Sequence, residues 1–351
     1  MRLRRCPGGT SRVALRTRRP RCPRRAFGGS RRPIALAAGT AALLLLLAGC
    51  GGNGQDTLSP HSTQAGQIAN LFWVMMAVAW GGLLLVVALL FAAWKRRQTR
   101  GGDRFGTWMV GGAGIAMPIG VVAALFFFSD VFLIRDTQAP AASETRLTVT
   151  VIGHQWFWEA RYPGTRAVVA DEIHIPTRTP VNLQVRTVDV IHSFWVPELN
   201  RKIDVIPGRT NRILLETDRP GTYRGQCAEF CGLQHAHMAL YVFAEPPGAF
   251  RRWLARESRP ARGGGAQALF VSKCGSCHTI RGTPAQSGVG PDLTHVGSRT
   301  SLAALAIPNT PERMREWIRD PQKVKPGNQM PAVPLTAAQV SQLAAYLEAR
   351  R

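Results

Sequence analysis

The chain has 351 residues, 45% of them hydrophobic, and a formal charge of +23 from 44 Lys and Arg against 21 Asp and Glu. That charge is local: residues 1–33 hold twelve Arg and no acid, and the stretches 95–104 and 251–262 each carry a net four positive charges, which leaves the rest close to neutral. No basic face interleaved with aromatics remains, which excludes nucleic acid as a partner.

The Arg-rich start runs into an apolar stretch, 34–48, that closes with Leu47-Ala48-Gly49-Cys50. This resembles a bacterial lipoprotein signal, with 1–49 as the leader and Cys50 as the lipidated first residue; an ordinary secretory signal with an incidental Cys is the alternative. After an outward segment, 50–66, two apolar runs at 68–94 and 107–134 each exceed the ~20 residues that span a bilayer. They predict a transmembrane helix hairpin over 67–135. Lys95, Arg96, Arg97, Arg100 and Arg104 place the connecting loop in the cytoplasm, so that segment 50–66 and everything after Arg135 face outward from a bacterial inner membrane.

That side is oxidising, yet the seven Cys leave no pair for a structural disulfide. Cys6 and Cys22 belong to the leader, Cys50 to the lipobox, Cys227 and Cys231 to one loop, and Cys274 and Cys277 to a Cys-x-x-Cys-His string. A disulfide between Cys227 and Cys231 is the rival to a metal site there. Over 140–246 short segments such as 147–152, 181–185 and 239–243 alternate with period two between Pro and Gly turns, which predicts a small β-sandwich or barrel. Residues 247–265, with Pro246 and Pro247 before an Arg-rich run and Gly263-Gly264-Gly265 at the end, read as a linker with a flexible Gly end. Its arginines read as a solvated run or as a contact with anionic membrane lipids. From 266 to 351 helical patterns prevail, including 311–319 and an amphipathic helix over 337–350 that covers a small helical core.

The string Cys227-Ala-Glu-Phe-Cys231-Gly-Leu-Gln-His235-Ala-His-Met238 offers two thiolates, an imidazole and a thioether in one loop, a soft set that suits copper better than hard cations. Each thiolate can bridge two coppers, His235 is a terminal ligand and Met238 a weak axial one. A second imidazole must come from elsewhere, and His192, between a strand-like run and a Pro-bounded loop, is the best candidate. Zinc on His192, Cys227, Cys231 and His235 is the alternative, but zinc has no use for Met238. His237, two residues from His235, points away; His154 and His174 lack ligand spacing.

The order His192, Cys227-x-Glu229-x-Cys231, His235, Met238 resembles the binuclear CuA site of cytochrome c oxidase subunit II. The resemblance implies that Glu229 binds through its backbone carbonyl. It also implies that Trp156, in Gly153-His154-Gln155-Trp156-Phe157-Trp158, lies where electrons enter, and that 204–209 faces the catalytic subunit. The fold it implies is a two-helix transmembrane hairpin followed by a cupredoxin-like β-barrel.

Cys274-Gly-Ser-Cys277-His278 is the heme c attachment motif: two thioether bonds and an axial imidazole within one helical turn. Met330, in Gly327-Asn328-Gln329-Met330-Pro331, resembles the axial Met loop of class I cytochromes c, and Met/His ligation raises the heme potential. Pro291 resembles the residue whose carbonyl orients the heme His. Met314 reads as helix packing, and His295 is a rival axial ligand.

The fold class expected is therefore a multidomain membrane protein: hairpin, cupredoxin-like barrel and all-α class I cytochrome c domain. It resembles subunit II with a fused C-terminal cytochrome c domain, as in caa-type heme-copper oxidases. The resemblance implies the electron-transfer subunit of a proton-translocating cytochrome-c oxidase. Electrons would come from a cytochrome c or from quinol:cytochrome c reductase, pass heme c and CuA, and reach subunit I, beside subunit III, for reduction of O2 to water. The two predicted helices contain no His, so they hold no His-ligated heme of their own. A free-standing membrane-anchored copper and heme carrier serving another reductase is the alternative.

Overall fold

The structure, a computed structural model, describes residues 54–95, 103–134, 137–138, 145–261 and 264–351. The expected leader (1–49), Cys50 and most of the basic loop lie outside the described residues.

Among the described residues, two helices are long and apolar enough to cross a membrane. Helix α1 (Thr63–Lys95) starts earlier than the apolar run at 68, because the Ser62 hydroxyl accepts from the Ala65 N–H at 3.0 Å and caps it. Its first turn is tied to the soluble part. The His61 N–H donates to the Glu198 carbonyl at 2.9 Å, and the Thr217 hydroxyl donates to the His61 carbonyl at 2.6 Å. Beyond Ala69 its side chains, Trp73 and Leu84 among them, are unburied by protein, as lipid-facing residues would be. The second rod alternates in pitch: α2 (Asp103–Trp108), a π segment Met109–Ala116, α3 (Met117–Phe128) and a second π segment Ser129–Ile134. Pro118, at the start of α3, has no N–H for the carbonyl four residues back, and the ladder is wide just before it.

The β domain is a two-sheet sandwich. Its strands are β1 (Leu147–His154), β2 (Phe157–Arg161), β3 (Val168–Ala170), β4 (Glu172–Pro176), β5 (Val181–Thr187), β6 (His192–Trp195), β7 (Ile203–Val205), β8 (Asn211–Leu215), β9 (Gly221–Cys227) and β10 (Ala239–Glu245). One sheet runs β3-β2-β1-β5-β8 and the other β4-β10-β9-β6-β7; β1–β5 and β4–β10 pair in parallel. The alternation places Val149, Val151, Leu183 and Val185 of one sheet against Ile173, Ile175, Leu240 and Val242 of the other, all 0% exposed, as period-two sequences require.

The segment 247–265 departs from the linker expected of it. It opens with a helix, α4 (Pro247–Glu257), with Pro at its first turn. Phe250, Trp253 and Glu257, at i, i+3 and i+7, are buried, and the two aromatics join the sandwich core. The arginines Arg251, Arg252 and Arg256 take the outer face. Periodicity of 3.6 was present, hidden under the charge.

The C-terminal domain is helical: α5 (Gln267–Cys274), α6 (Pro311–Arg319), the short α7 (Pro321–Val324) and α8 (Ala337–Glu348). Phe270, Ile280, Val296, Met314, Ile318, Leu343 and Leu347 form its core, with α6 and α5 packed on α8. A capping box between Thr336 and Gln339 starts α8.

Candidate metal and heme sites

Cys227 ends β9, His192 begins β6, and the two strands are antiparallel neighbours, so the sheet brings the distant imidazole to the loop. His192 is on a strand rather than in the loop expected. Cys227 and Cys231 are free thiols with their sulfurs 3.8 Å apart. His192 Nδ1 lies 3.8 Å from Cys227 Sγ, and His235 Nδ1 lies 3.7 Å from Cys231 Sγ. Met238 Sδ is 3.8 Å from Cys231 Sγ, and the Glu229 carbonyl is 3.2 Å from Cys227 Sγ. Four donors thus surround two sulfurs, each sulfur with its own imidazole, which makes six ligand atoms in all. A four-coordinate zinc ion would use four of them; the set fits two soft ions sharing the sulfurs. His237 is exposed and bonds Gln234, away from this cluster.

Two features hold the imidazole of His192. Its Nε2 lies 2.8 Å from Asp189 Oδ1, which directs Nδ1 to the sulfur, while Asp189 Oδ2 accepts the Gln155 N–H at 2.6 Å. A Cβ at Gly153 would come within 2.9 Å of its ring, so only glycine admits it. Burial opposes the imidazolium, but the bond to Asp189 and the adjacent Cys227 sulfur outweigh it and raise the His192 pKa. Burial likewise opposes the Asp189 carboxylate, and its hydrogen bonds from His192, Gln155 and Val190 hold its pKa below the ordinary value. In the sulfur pair, hydrogen bonding from Cys231 lowers the pKa of Cys227 and raises that of Cys231, so one thiolate forms readily. Asp189 escaped sequence reasoning, although a carboxylate three residues before a ligand His was a usable signal.

Trp156 is buried beside this cluster. Its Nε1–H donates to the Cys231 carbonyl at 3.0 Å, and Gln155 Nε2 donates to the same oxygen at 2.7 Å.

In the helical domain, Cys274 ends α5 and Cys277 and His278 follow in a tight turn, the His278 N–H bonding the Cys274 carbonyl at 3.0 Å. A cavity of about 420 Å³ opens there, lined by Cys274, Cys277, His278, Met330, Met314 and the apolar Phe270, Ile318, Leu343 and Leu347. Its apolar walls, with an imidazole and two thiols at one side, fit a covalently held heme. His278 Nδ1 donates to the Pro291 carbonyl at 2.9 Å, which leaves Nε2 free to ligate. A Cβ at Gly290 would stand 2.7 Å from the same ring. Burial lowers the His278 pKa and keeps the ring neutral; burial also pushes the Cys274 thiol up to about 11. His295 does not line this cavity: its Nε2 bonds the Arg259 carbonyl at 3.0 Å. Met314 is 1% exposed within the core and touches the cavity too.

Gln155, Trp156, Phe157 and Asp171 of the β domain also line the heme cavity. The two sites therefore share a wall, a relation that neither motif encodes.

Two family profiles match the chain: "Cytochrome C oxidase subunit II, periplasmic domain" over residues 165–244 and "Cytochrome c" over residues 265–350. Cytochrome c oxidase subunit 2 of Alkalihalophilus pseudofirmus is 32% identical over 327 residues, covering 87% of this chain and 94% of that protein. The subunit 2 of Bacillus sp. strain PS3 is 28% identical over 251 residues, 66% of this chain and 69% of that protein. Among solved structures, the periplasmic domain of subunit II of cytochrome oxidase from Bradyrhizobium japonicum is 30% identical, with a TM-score of 0.31, over 32% of this chain and 93% of that one. With the sulfur cluster and the heme motif each inside one matched region or at its edge, and similarity running through nearly the whole of a relative, the chain belongs to the cytochrome c oxidase subunit 2 family.

Proposed function

We propose that this chain is the electron-transfer subunit of a cytochrome-c oxidase, receiving electrons at a heme c and passing them through a binuclear CuA centre to the heme-copper subunit I. The observation that carries the reading is the pair of thiols 3.8 Å apart, each with its own imidazole, on a chain that also holds Cys274-x-x-Cys277-His278. His192, Cys227, Glu229 through its carbonyl, Cys231, His235 and Met238 would hold the copper; Cys274, Cys277, His278 and Met330 would hold the heme, with Pro291 orienting His278. When bound, the copper pair and the heme supply one-electron carriers whose ligands barely move between oxidation states.

The chain's own residues supply the rest. Asp189 fixes the tautomer of His192, the apolar cavity walls exclude water from the heme face, and the bond from Trp156 to the Cys231 carbonyl gives a short through-bond route between the cavity and the sulfurs. The protein is membrane-anchored with its folded domains outside. In the finer reading, residues 1–49 are a leader ending at a lipidated Cys50, 67–135 the hairpin, 140–246 the copper domain and 266–351 the heme domain. The membrane is the bacterial inner one, the donor a cytochrome c or quinol:cytochrome c reductase, and the complex, with subunits I and III, translocates protons.

The test is an electron paramagnetic resonance and optical spectrum of the full chain in detergent, expressed with heme maturation and supplied with copper. A mixed-valence copper signal split by two equivalent nuclei, beside a low-spin heme c spectrum, is expected. A mononuclear copper pattern overturns the binuclear reading. For the heme, Met330→Leu removes the thioether, and the midpoint potential is expected to fall by on the order of 0.1 V or more, within the roughly 0.8 V that axial ligands command. Redox titration checks it, and Met314→Leu, a packing change, should leave the potential near that of the parent.

A further inference from the structure

Lys325, between α7 and the Met330 loop, is 3% exposed, a rare position for an ammonium group. Its Nζ donates to the carbonyl of Trp156 at 2.8 Å, across to the β domain, and to the carbonyl of Ala303 at 3.1 Å within its own domain. Ala303, Ala304 and Leu305 all adopt left-handed backbone, φ 56 to 67°, in the turn that offers the second carbonyl. That conformation is unfavourable for each of them and persists only where surroundings hold it. Asp171, buried at the wall of the heme cavity, supplies the opposing charge from the β domain while its Oδ1 accepts the Trp158 N–H at 2.8 Å. Burial lowers the Lys325 pKa to about 8, opposed by Asp171, and burial raises the Asp171 pKa to about 6, opposed by the Trp158 N–H and Lys325.

Around this ammonium the two domains meet in neutral or half-neutral contacts. Thr300 donates through its N–H and its hydroxyl to Glu172 Oε1 at 2.7 and 2.6 Å, Gln234 Nε2 bonds the Pro326 carbonyl, and Leu233 packs over Gly327. Lys325 reaches Trp156, which together with Gln155 stands between the heme cavity and Cys231, and Gln329 Nε2 donates to Gln155 Oε1 at 3.4 Å beside it.

We propose that Lys325 is a positioning residue, an inter-domain pin that holds the heme cavity against the Trp156 edge of the copper domain, so that the two sites work in one fixed arrangement instead of meeting by a swing of the heme domain. The pin binds the backbone of Trp156, so it sets where the heme edge lies without touching a ligand of either site. The electron-transfer part rests on the proposed function; the docking part does not.

The test uses the full chain in detergent and two variants. Lys325→Met keeps the length and removes the charge and both donors; Asp171→Asn removes only the counter-charge and keeps an acceptor for Trp158. Hydrogen exchange followed by mass spectrometry should speed at least about tenfold in peptides covering 155–158 and 322–330 for Lys325→Met, and less for Asp171→Asn. Flash-initiated transfer from heme to copper should slow at least about tenfold beyond what the change in driving force, read by redox titration of both chromophores, accounts for. Parent-like exchange on both faces in both variants overturns the pin. Faster exchange with an unchanged transfer rate overturns the positioning role. A parent chain lacking the copper signal would sink the functional reading instead, and the exchange result would still decide the docking.

Discussion

On the proposed binuclear reading, Cys231→Ser is expected to abolish the two-copper signal, lower bound copper from two ions per chain to at most one, and stop electrons at the heme. The hydroxyl is nearly isosteric with the thiol in this buried site, so the fold should persist. What disappears is a soft sulfur that lies within 3.8 Å of Cys227 Sγ, His235 Nδ1 and Met238 Sδ at once. A serine hydroxyl remains protonated at neutral pH and is a poor ligand for monovalent copper. The partner imidazole and thioether then have no shared atom to organise about. Copper analysis and electron paramagnetic resonance check this, and two coppers retained with the parent spectrum would refute the bridging role. Asp189→Asn is the graded comparison: all six donors remain, and only the orientation of His192 is loosened, so copper affinity should fall roughly 10–100-fold.

Trp253→Ala should destabilise the β domain by about 3–5 kcal/mol, the usual range for removing a large buried aromatic. The indole stacks on His174 with ring centroids 4.0 Å apart and an interplanar angle of 12°, and meets Tyr162 edge-on at 5.1 Å. Truncation leaves a void bounded by these rings and Phe250, which strand and helix backbone cannot close. Arg251→Ala and Arg252→Ala, on the outer face of the same helix, should stay within about 0.5 kcal/mol. Denaturant unfolding followed through the copper absorbance distinguishes these outcomes. If Trp253→Ala behaves like the arginine variants, α4 is a solvated tether and not part of the β domain.

The contrast between Trp253 and its arginine neighbours shows where sequence reasoning stopped. The Arg-rich composition of 247–265 and its flanking Pro and Gly suggested a tether, and the charge masked the 3.6-residue recurrence of Phe250, Trp253 and Glu257. The interior strands ran differently. Apolar alternation at 147–152, 181–185 and 239–243 was strong enough to mark β1, β5 and β10, because a half-buried strand must alternate whatever it packs against. The amphipathic α8 and the two apolar rods were legible for the same reason: their partners, a core or a bilayer, demand a pattern along the chain itself.

Local spacing by itself determined the two redox strings. A Cys-x-x-x-Cys loop with His and Met on the same short segment, and a Cys-x-x-Cys-His turn, bring their donors together within a few bonds, so their chemistry is written in order along the chain. Only the tertiary structure decided which residues serve those strings from afar. Asp189 reaches His192 because a loop turns between β5 and β6, and Lys325 meets the carbonyl of Trp156 across 169 positions of sequence. A buried ammonium has no periodicity to betray it; its burial is a property of two surfaces that meet after each has folded. That is why the chemistry of each site could be read residue by residue, while the shared wall between them became visible only when both domains stood in place.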